Sequence, residues 1–562
     1  MWQFCRSFLP PPQTTDPYPR LSLDSNSGRE KNSATNSRST NFLPRGSHPS
    51  IGGHPVDGSL KLSAYIEKNF QTAIPNPVLR EEGEISLDPT GQRSNHEPQW
   101  PNCNVDDFAS VVASQLNDDQ SLRGFEPQLV PSQTVLAYNI QYRSTTARIW
   151  FGTRGSEVQI LSPRPISSSY SQFPAMKIAY TARHLYTPLQ EISDPLLVVE
   201  DSHIAQVASR SEREAPGNMK VVDYGDAAIA PGFLDVHIHG GSGLDLMRAA
   251  PAELPALGKF LAAHGVTAYF PTTVAAPLDV TCTALDRLAT AIEAAASSSN
   301  GGAAARPLGI HLEGPFLSHK RRGVHPPEYL VEPTIPIFDR LWQAARGHVR
   351  MLTIAPEIPG ALEVIAEAAR RNVCVSIGHS DADMSSAQAA VRAGAHHATH
   401  TFNAMRPLDH REPGIVGEVL SDDRITADLI ADGIHVAPAV VKLFLQAKGP
   451  ERAVLITDAI SATGMPDGQY QLGPIKVDVK DGKCTSNGSL AGSVLTMDRA
   501  VRNIIQFSNW SLRDAVRAAT LNPARAVGMP ECGALVGGAR ADIVVLNPAG
   551  EVLKTIVGGR ES

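Results

Sequence analysis

The sequence predicts an α/β protein: a (β/α)8, TIM-like barrel with a small β-sandwich domain and a disordered N-terminal extension. Three observations support this fold class. Apolar strand-like runs alternate with helical stretches over 231–519, hairpin-like segments stand on both sides of that region, and the first 175 residues lack sustained periodicity. We therefore expect a low-complexity extension over 1–175, a β-sandwich built from 176–230 plus 520–562, and a barrel over 231–519.

Composition limits the class of protein. The 562 residues are 42% hydrophobic and 19% charged, which is typical of a soluble globular protein. The net charge of −7 and the pI near 6.2 give no sign of the basic surface that nucleic acid or an anionic membrane selects. Any anionic substrate must therefore be met by local positive groups.

Cysteine usage and the N-terminus bear on location. The six cysteines include no C-x-x-C pair, so neither a zinc knuckle nor a dithiol redox motif is present in the sequence. No apolar run approaches the ~20 residues that span a bilayer, and Arg6 and several prolines interrupt the first residues too much for a signal sequence. We expect a reduced, cytoplasmic protein that is not exported.

The N-terminal extension carries no motif to which we assign chemistry. Residues 10–101 are rich in Ser, Asn, Pro, Arg and Gly, and such a stretch cannot offset its ordering entropy by burial. Residues 102–175 add only short apolar runs. The alternative is that the native chain begins at Met176, because Met176–Tyr186 reads at once as an ordered strand.

The β-sandwich is predicted from both ends of the remaining sequence. Leu196–Val207 has the pattern of two strands joined by a tight polar turn. Gly533–Asn547 and Gly550–Arg560 are again short β segments with glycine breaks. Isolated hairpins are marginally stable, so we expect the two sets to pair into one small domain.

The barrel follows from repeated strand-then-helix patterns, which favour it over an open sheet. The strand-like runs are Ala268–Thr273, Leu308–Glu313, Val349–Ile354, Cys374–Gly378, Ile425–Ile430 and Ala453–Thr457, with helices such as Leu362–Arg371, Ser385–Arg392 and Leu512–Ala519 between or after them.

Polar residues end several of these strands, where barrel enzymes place their chemistry. His237 and His239 follow an apolar strand, and their period-2 spacing points both imidazoles to one side, as a shared metal requires. Glu313 ends the next strand, where a lone carboxylate is costly unless it is paired or bound to a cation. His311, two residues earlier, orients the site in this interpretation.

The later strands complete the candidate set. His379 and His400 stand at two further strand ends, and one oxygen with two nitrogens is a suitable catalytic metal set that leaves room for water. Asp458 ends the predicted last strand, where it can take a proton from a water and return it to a leaving amine. We interpret His396 and His397 as outer-shell or surface residues.

Together these motifs resemble the N-acetylglucosamine-6-phosphate deacetylase family of the amidohydrolase superfamily. The resemblance extends over almost all of 176–562. H-x-E-G-P-F followed by H-x-F-N-A-M is more specific than H-x-H, which many amidohydrolases share. The matching stretches are Pro231–Gly241, His311–Phe316, Gly378–Ser380, His400–Met405, Ala431–His435, Thr457–Ala459 and Leu490–Ser493.

The resemblance implies metal ligation by Glu313, His379 and His400, with Asp458 as general acid/base. Because His237 and His239 are present, it also implies a second metal position bridged by Glu313. We expect one or two divalent ions per subunit. His and carboxylate ligands suit zinc, iron, manganese and cobalt alike, with zinc or iron favoured. The carboxylated lysine of urease-like and dihydroorotase-like relatives has no evident counterpart.

The resemblance also implies the substrate and its contacts. Metal-activated water would remove the acetyl group of N-acetylglucosamine 6-phosphate, giving acetate and glucosamine 6-phosphate, with His325 stabilising the oxyanion. A homodimer is expected, in which Arg411 or His435 acts in trans; nucleic acid and membrane partners are not. The sugar or acyl contacts are Val324, His325, Asn403 and Ala404, the phosphate contacts are Arg411 and His435, and further pocket residues are Asp432, Gly433, Ile434, Leu490, Ala491, Gly492 and Ser493.

Two alternatives stay open at this point. Another amidohydrolase, such as a galactosamine-6-phosphate deacetylase or a cyclic-amide hydrolase, would share the metal chemistry and differ in its pocket. A non-catalytic metal-binding scaffold would need the ligands but neither Asp458 nor Arg411, and both are present.

Overall fold

The computed structural model describes residues 122–128, 135–142, 145–154, 157–165, 177–187, 190–213, 219–297 and 302–562. The chain divides into two units between Tyr170 and Ser171. Every residue to which the sequence assigns chemistry lies in the second unit.

The first unit contains an antiparallel sheet of four strands hydrogen-bonded in chain order. Sequence analysis assigned no element here, because the short apolar runs showed no sustained alternation. The expectation of a disordered extension over 1–175 otherwise lies outside the described residues. The strands are β1 (Leu122–Gln128), β2 (Val135–Tyr142), β3 (Thr145–Arg154) and β4 (Glu157–Pro165).

The second unit begins with short strands. Pro195–Glu200 and His203–Ser209 form the predicted hairpin, and Asp201 in its turn has a φ of 54°. The strands are β5 (Lys177–Thr181), β6 (His184–Tyr186), β7 (Glu191–Ser193), β8 (Pro195–Glu200), β9 (His203–Ser209), β10 (Lys220–Asp223) and β11 (Ala228–Pro231). One sheet runs in the order β10-β5-β8-β9.

The strands that carry the site are parallel, except for one short pair. The set comprises β12 (Phe233–Ile238), β13 (Gly240–Gly241), β14 (Leu244–Asp245), β15 (Val266–Pro271), β16 (Arg306–Pro307), β17 (Ile310–Glu313), β18 (Val349–Ile354), β19 (Cys374–Ile377), β20 (His397–Ala398), β21 (Thr426–Ile430) and β22 (Ala453–Ile456). β13 and β14 form a small antiparallel pair. The others form parallel sheets β12-β15-β16 and β17-β18-β19-β20-β21-β22.

Two isolated parallel bridges connect these sheets. One joins Thr272, after β15, to His311 on β17, and the other joins Ile238 on β12 to Ala459, after β22. Every residue of β17, β19 and β22 is buried. Burial on both faces is typical of parallel strands covered by helices and explains their continuous apolar runs.

Helices follow the parallel strands as the alternating pattern predicts. Met384–Ala393, after β19, shows why one forms: Asp383 Oδ1 accepts a hydrogen bond of 2.8 Å from the Ser386 amide, and Gly394 ends the helix at a φ of 119°. The helices are Leu254–Ala263, Leu278–Ser297, Ile335–Ala344, Ala361–Arg370, Met384–Ala393, Gly414–Ser421, Pro438–Arg452, Met497–Ser508, Leu512–Ala518 and Leu521–Ala526.

A second antiparallel sheet lies between β22 and helix Met497–Ser508. Its strands are β23 (Gly468–Leu472), β24 (Ile475–Lys480), β25 (Lys483–Ser486) and β26 (Ser489–Leu490). β24 alternates between buried and exposed residues, as a strand with one packed face does. Its buried Val477 belongs to the same apolar cluster as Val274 and Ile460, which places this sheet beside the ends of β15 and β22.

The C-terminal strands pair with strands from the start of the second unit. β27 (Ile543–Leu546), β28 (Val552–Val557) and β29 (Arg560–Glu561) complete a sheet of order β29-β28-β27-β11-β6-β7. One apolar core contains Tyr180 and Val199 from the sheet of β5 together with Ile229, Val545 and Ile556 from this sheet. Both ends of the second unit therefore bury a common core.

None of the helices in the described ranges combines the length and the apolar character that a membrane crossing requires.

We expect Leu429→Ala to lower the free energy of unfolding by about 2–5 kcal/mol, because Leu429 on β21 is fully buried and its truncation leaves a cavity. Leu443→Ala is the matched control, since Leu443 is 53% exposed, and should change it by about 0.5 kcal/mol or less. Denaturant titration of the full chain measures both; equal losses would contradict the core assignment of β21.

Candidate active site

The site is built at the carboxyl ends of the parallel strands. His237 lies on β12 and Glu313 ends β17, whereas His379, His400 and Asp458 each stand two residues beyond the end of a strand. Parallel strands end on the same rim, so residues far apart in sequence meet there. All five are buried.

Glu313, His379 and His400 form the first donor group. Their ligand atoms all lie within 4.8 Å of one another. Nε2 of His379 and Nε2 of His400 lie 3.1 Å and 3.0 Å from Glu313 Oε1 and 3.1 Å from each other. The sequence assigned these three residues to one ion, and the structure brings them together.

His237, His239 and Asp458 form the second donor group, whose ligand atoms also lie within 4.8 Å of one another. The two Nε2 atoms lie 3.2 Å apart, and Asp458 Oδ1 lies 3.5 Å from that of His237 and 3.0 Å from that of His239. The period-2 spacing of the two histidines thus directs both rings to one point, as expected.

Glu313 lies between the two donor groups. Its Oε1 is 3.5 Å from His237 Nε2, and its Oε2 is 3.3 Å from His239 Nε2. One carboxylate therefore faces both groups with both of its oxygens.

The donor sets fit a divalent metal. Nitrogens and oxygens that bind one tetrahedral ion at about 2.0–2.1 Å stand roughly 3.3 Å apart, close to the separations within both groups. The Nδ1 atoms of His239 and His379 face the backbone oxygens of Thr272 at 3.3 Å and Arg321 at 2.9 Å. A carbonyl only accepts, so each Nδ1 carries the proton and each Nε2 keeps its lone pair for a metal.

Burial and neighbouring charges together set the pKa values of the site residues. Burial acts to raise the pKa of Asp458, but His237 and His239 beside it outweigh burial and bring that pKa to about 2. Burial acts to lower the pKa of His239, but Asp458 and Glu313 outweigh it and bring that pKa to about 10. Without a metal this ring is therefore protonated on both nitrogens, and a cation that binds at Nε2 replaces the proton there. Burial lowers the pKa of His379 to about 4, so this imidazole is neutral, the form that binds metal.

His325 lies on the same rim, in the loop after β17. Its Nδ1 accepts a hydrogen bond of 3.1 Å from the Ala275 amide, which leaves the ring proton on Nε2 in the neutral form. That Nε2 lies 3.6 Å from Glu313 Oε2. In the neutral form, His325 therefore directs the N–H of Nε2 toward Glu313.

Three residues of the site have a left-handed backbone. The φ angles are 47° at His379, 27° at His400 and 50° at Asp458. Such angles are uncommon outside glycine and cluster at functional sites. The turn at Asp458 is held on both sides, because its amide donates to His237 O at 2.9 Å and its carbonyl accepts from Ser493 N at 2.8 Å.

Several of the predicted substrate residues are held by local hydrogen bonds. Asp432 Oδ1 accepts from the amides of Ile434 and His435, each at 2.8 Å, and Asp432 Oδ2 lies 2.6 Å from His435 Nδ1. His435 Nδ1 therefore donates to Asp432. Asn403 is half-buried and its amide faces His400 O at 3.3 Å.

The remaining predicted contacts differ in exposure. Leu490 on β26 is 37% exposed, while Ser493 is buried and donates from its hydroxyl to Thr457 O at 2.5 Å. Arg411 lies in an exposed loop, where its amide donates to Asp409 Oδ1 at 2.8 Å. Val324 and Ile434 are half-buried and Ala491 is buried. The backbone is left-handed at Gly433, Ala404 and Gly492, with φ angles of 77°, 50° and 58°.

Sequence reasoning missed a buried carboxylate that ties two parts of the site together. Asp235 Oδ2 accepts a hydrogen bond of 2.5 Å from the Thr457 hydroxyl, and Asp235 Oδ1 accepts from the Thr457 amide at 3.3 Å. It therefore fixes the residue before Asp458 to the strand of His237. Its period-2 spacing before His237 and His239 was the signal that could have found it.

His396 and His397 lie outside both donor groups, as expected. His396 is exposed, and His397 is fully buried with Nε2 2.8 Å from Asp428 Oδ1.

The amidohydrolase family matches residues 228–561. The chain belongs to this family. The narrower resemblance drawn from the motifs is also confirmed, because similar proteins are N-acetylhexosamine-phosphate deacetylases. Among them, the N-acetylgalactosamine-6-phosphate deacetylase of Escherichia coli O157:H7 is 38% identical over 381 residues, covering 67% of this chain and 97% of its own. The N-acetylglucosamine-6-phosphate deacetylase of Lysinibacillus sphaericus is 38% identical over 364 residues, covering 64% and 92%.

A solved structure agrees with these relatives. A mutant N-acetyl-D-glucosamine-6-phosphate deacetylase from Mycobacterium smegmatis, in complex with N-acetyl-D-glucosamine-6-phosphate, is 37% identical with a TM-score of 0.64. The match covers 69% of this chain and 99% of that one. This chain therefore matches the fold of that relative over nearly its whole length.

We expect Glu313→Gln to weaken zinc binding at both donor groups, since Glu313 faces both. His379→Gln should weaken binding at the first group alone. Each loss should exceed the roughly 10- to 100-fold that residues outside the ligand shell contribute. Calorimetric titration of metal-free protein with Zn²⁺ measures this.

Glu357→Gln is the matched control, because Glu357 accepts from Ser380 and Asp381 nearby and belongs to neither group. A Glu313→Gln protein that keeps one zinc-binding step unchanged would show that Glu313 does not serve both groups.

Proposed function

We propose that this protein hydrolyses the N-acetyl group of N-acetylglucosamine 6-phosphate, giving glucosamine 6-phosphate and acetate, in amino-sugar catabolism and recycling. One observation carries the proposal: two metal-donor groups share Glu313, and the second of them contains a carboxylate, Asp458, suited to proton transfer. The names of the relatives, at 38% identity, support the same reaction.

We propose that Glu313, His379 and His400 hold one divalent cation and that His237 and His239 hold a second, with Glu313 between them. When bound, such a cation lowers the pKa of water and polarises a carbonyl. Imidazole and carboxylate donors favour zinc or iron, with manganese and cobalt as alternatives.

In the proposed mechanism, Asp458 is ionised and takes the proton of the attacking water as the oxygen attacks the amide carbon. His325 donates a hydrogen bond from Nε2 to the oxygen of the acetyl carbonyl as negative charge develops there. Asp458 then gives the proton to the sugar nitrogen, the C–N bond breaks, and acetate and the amine leave. Asp235 and Thr457 keep Asp458 in place during both transfers.

Recognition of the substrate is proposed at the surrounding residues. His435 donates from Nδ1 to Asp432, which leaves Nε2 to face a phosphate. Arg411 suits a phosphate because its planar guanidinium donates two parallel hydrogen bonds. Val324, Asn403 and Ala404 would contact the sugar or acyl group, and Gly433, Ile434 and Leu490–Ser493 would complete the pocket.

The finer architecture is part of the proposal. The two bridges that link the parallel sheets support a closed (β/α)8 barrel over 231–519, and the shared core of the outer sheets supports a β-sandwich from 176–230 plus 520–562. A homodimer with Arg411 or His435 acting in trans is proposed as well. A cytoplasmic location stays a prediction.

A second candidate substrate is the galacto epimer, N-acetylgalactosamine 6-phosphate. It is favoured by one observation, the 38% identity to a deacetylase with that name. Both candidates use the same donor groups and differ only in the sugar hydroxyl that the pocket must face.

We expect Asp458→Asn to lower kcat for acetate release by about 10²- to 10⁴-fold, because the amide cannot take the water proton. Acetate release from N-acetylglucosamine 6-phosphate, with the metal content of each sample measured, tests this. Asp478→Asn, on the exposed face of β24, is the matched control and should keep full activity. Near-normal turnover by metal-loaded Asp458→Asn would show that another group moves the proton.

We expect kcat/KM to be higher for the gluco than for the galacto epimer. Steady-state acetate release from both substrates, with purified full-length protein, decides between them. The opposite ranking would make the galacto epimer the substrate and leave the metal chemistry unchanged.

A further inference from the structure

One ligand ring of the second donor group lacks the usual restraint. A metal-binding imidazole is normally held by a hydrogen bond from its other nitrogen. His239 has such a bond to Thr272 O. His237 Nδ1 is buried and has no hydrogen-bond partner among the described residues. Some other contact must therefore fix the direction in which His237 Nε2 points.

His311 supplies a contact of this kind. Its ring packs against that of His237 with centroids 4.6 Å apart and planes at 85°, an edge-to-face arrangement. Both residues are fully buried. Edge-to-face packing is favourable for aromatic rings, and a close-packed interior prevents one ring from turning while the other stays. The direction of His237 thus depends on that of His311.

His311 is itself anchored by a chain of hydroxyl groups. Its Nε2 lies 2.7 Å from Thr353 Oγ1, which lies 2.8 Å from Thr399 Oγ1, which lies 2.5 Å from Ser376 Oγ. All three hydroxyl residues are fully buried. The chain runs from His311 on β17 to Thr353 on β18, then to Thr399, the residue before His400, and ends at Ser376 on β19.

The chain is continuous only while each hydroxyl is present. Each hydroxyl has one proton to donate and can accept two hydrogen bonds, so the four groups can be linked without a break. Loss of the Thr353 hydroxyl leaves His311 Nε2 unpaired in a buried place. Because Nδ1 of His311 has no partner in the described part of the chain, the ring then has no hydrogen bond to hold it.

We propose that His311 is a positioning residue for His237, and that the hydroxyl chain of Thr353, Thr399 and Ser376 holds His311 in place. Affinity for the cation at the second donor group then depends on hydroxyls that never touch it. The inference rests on the metal binding proposed above and adds how one of its ligands is oriented.

A role in packing alone would give a different result. Valine has nearly the shape of threonine and lacks only the hydroxyl, so Thr353→Val preserves the volume beside His311. If volume were all that mattered, this change would leave zinc binding intact. If the hydroxyl anchors His311, Thr353→Val weakens binding and Thr353→Ser, which keeps the hydroxyl, restores it.

The test is a calorimetric titration of metal-free, full-length protein with Zn²⁺ alone. Thr353→Val should weaken zinc binding at the second donor group by about 10- to 100-fold and leave the first group unchanged. Thr353→Ser should return to the wild-type affinity. Thr267→Val is the matched control, because Thr267 is equally buried on β15 with its hydroxyl directed at Phe233 O, and should keep both affinities.

The titration steps are assigned with His379→Gln, which disables the first donor group and leaves the second to report. Thr353→Val with wild-type affinity at the second group would overturn the positioning role, and so would a Thr353→Ser protein as weak as Thr353→Val. Wild-type protein that takes up no zinc would instead overturn the proposed metal chemistry, so the two failures are distinguishable.

Discussion

A buried carboxylate surrounded by imidazoles is the constraint on which the rest of the site depends. Glu313 is 3% exposed, and an isolated buried carboxylate is strongly disfavoured. Five imidazole Nε2 atoms lie 3.0–3.6 Å from its oxygens, those of His237, His239, His325, His379 and His400. These rings come from the ends of β12, β19 and β20 and from the loop after β17, so the burial of Glu313 is tolerated only when the whole rim is assembled.

Several residues at the rim also have a strained backbone. His379, His400 and Asp458 each take a left-handed backbone just after a strand ends. Such a conformation costs of order 1–3 kcal/mol per residue. Neighbouring hydrogen bonds hold these turns; Ser318 N, for example, donates to His379 O at 2.9 Å. The strands beneath are buried on both faces, and their packing provides the stability that offsets this strain.

Much of this arrangement could be predicted from local sequence. Period 2 placed His237 and His239 on one side of a strand, and an acidic residue at the end of an apolar run singled out Glu313. The strands β17 and β22 begin and end within two residues of their predicted limits. Asp235 and the hydroxyl chain escaped notice, because a buried Thr353 or Ser376 looks like any strand residue until its partner on another strand is known. The strands of 122–165 also escaped it. Leu136, Tyr138, Ile140 and Tyr142 recur at every second position of β2, but this alternation extends over only one strand.

The sheet that joins β11 to β27 has a consequence for how the chain is made. β11 ends at Pro231, and its partner β27 begins at Ile543. During synthesis, therefore, β11 can pair with β6 at once, but its second neighbour, β27, does not exist until nearly all of the barrel has left the ribosome. At about 5–20 residues per second this interval lasts some tens of seconds. Throughout it, the nascent chain exposes one unpaired edge and half of an apolar core, which is the kind of surface that chaperones bind.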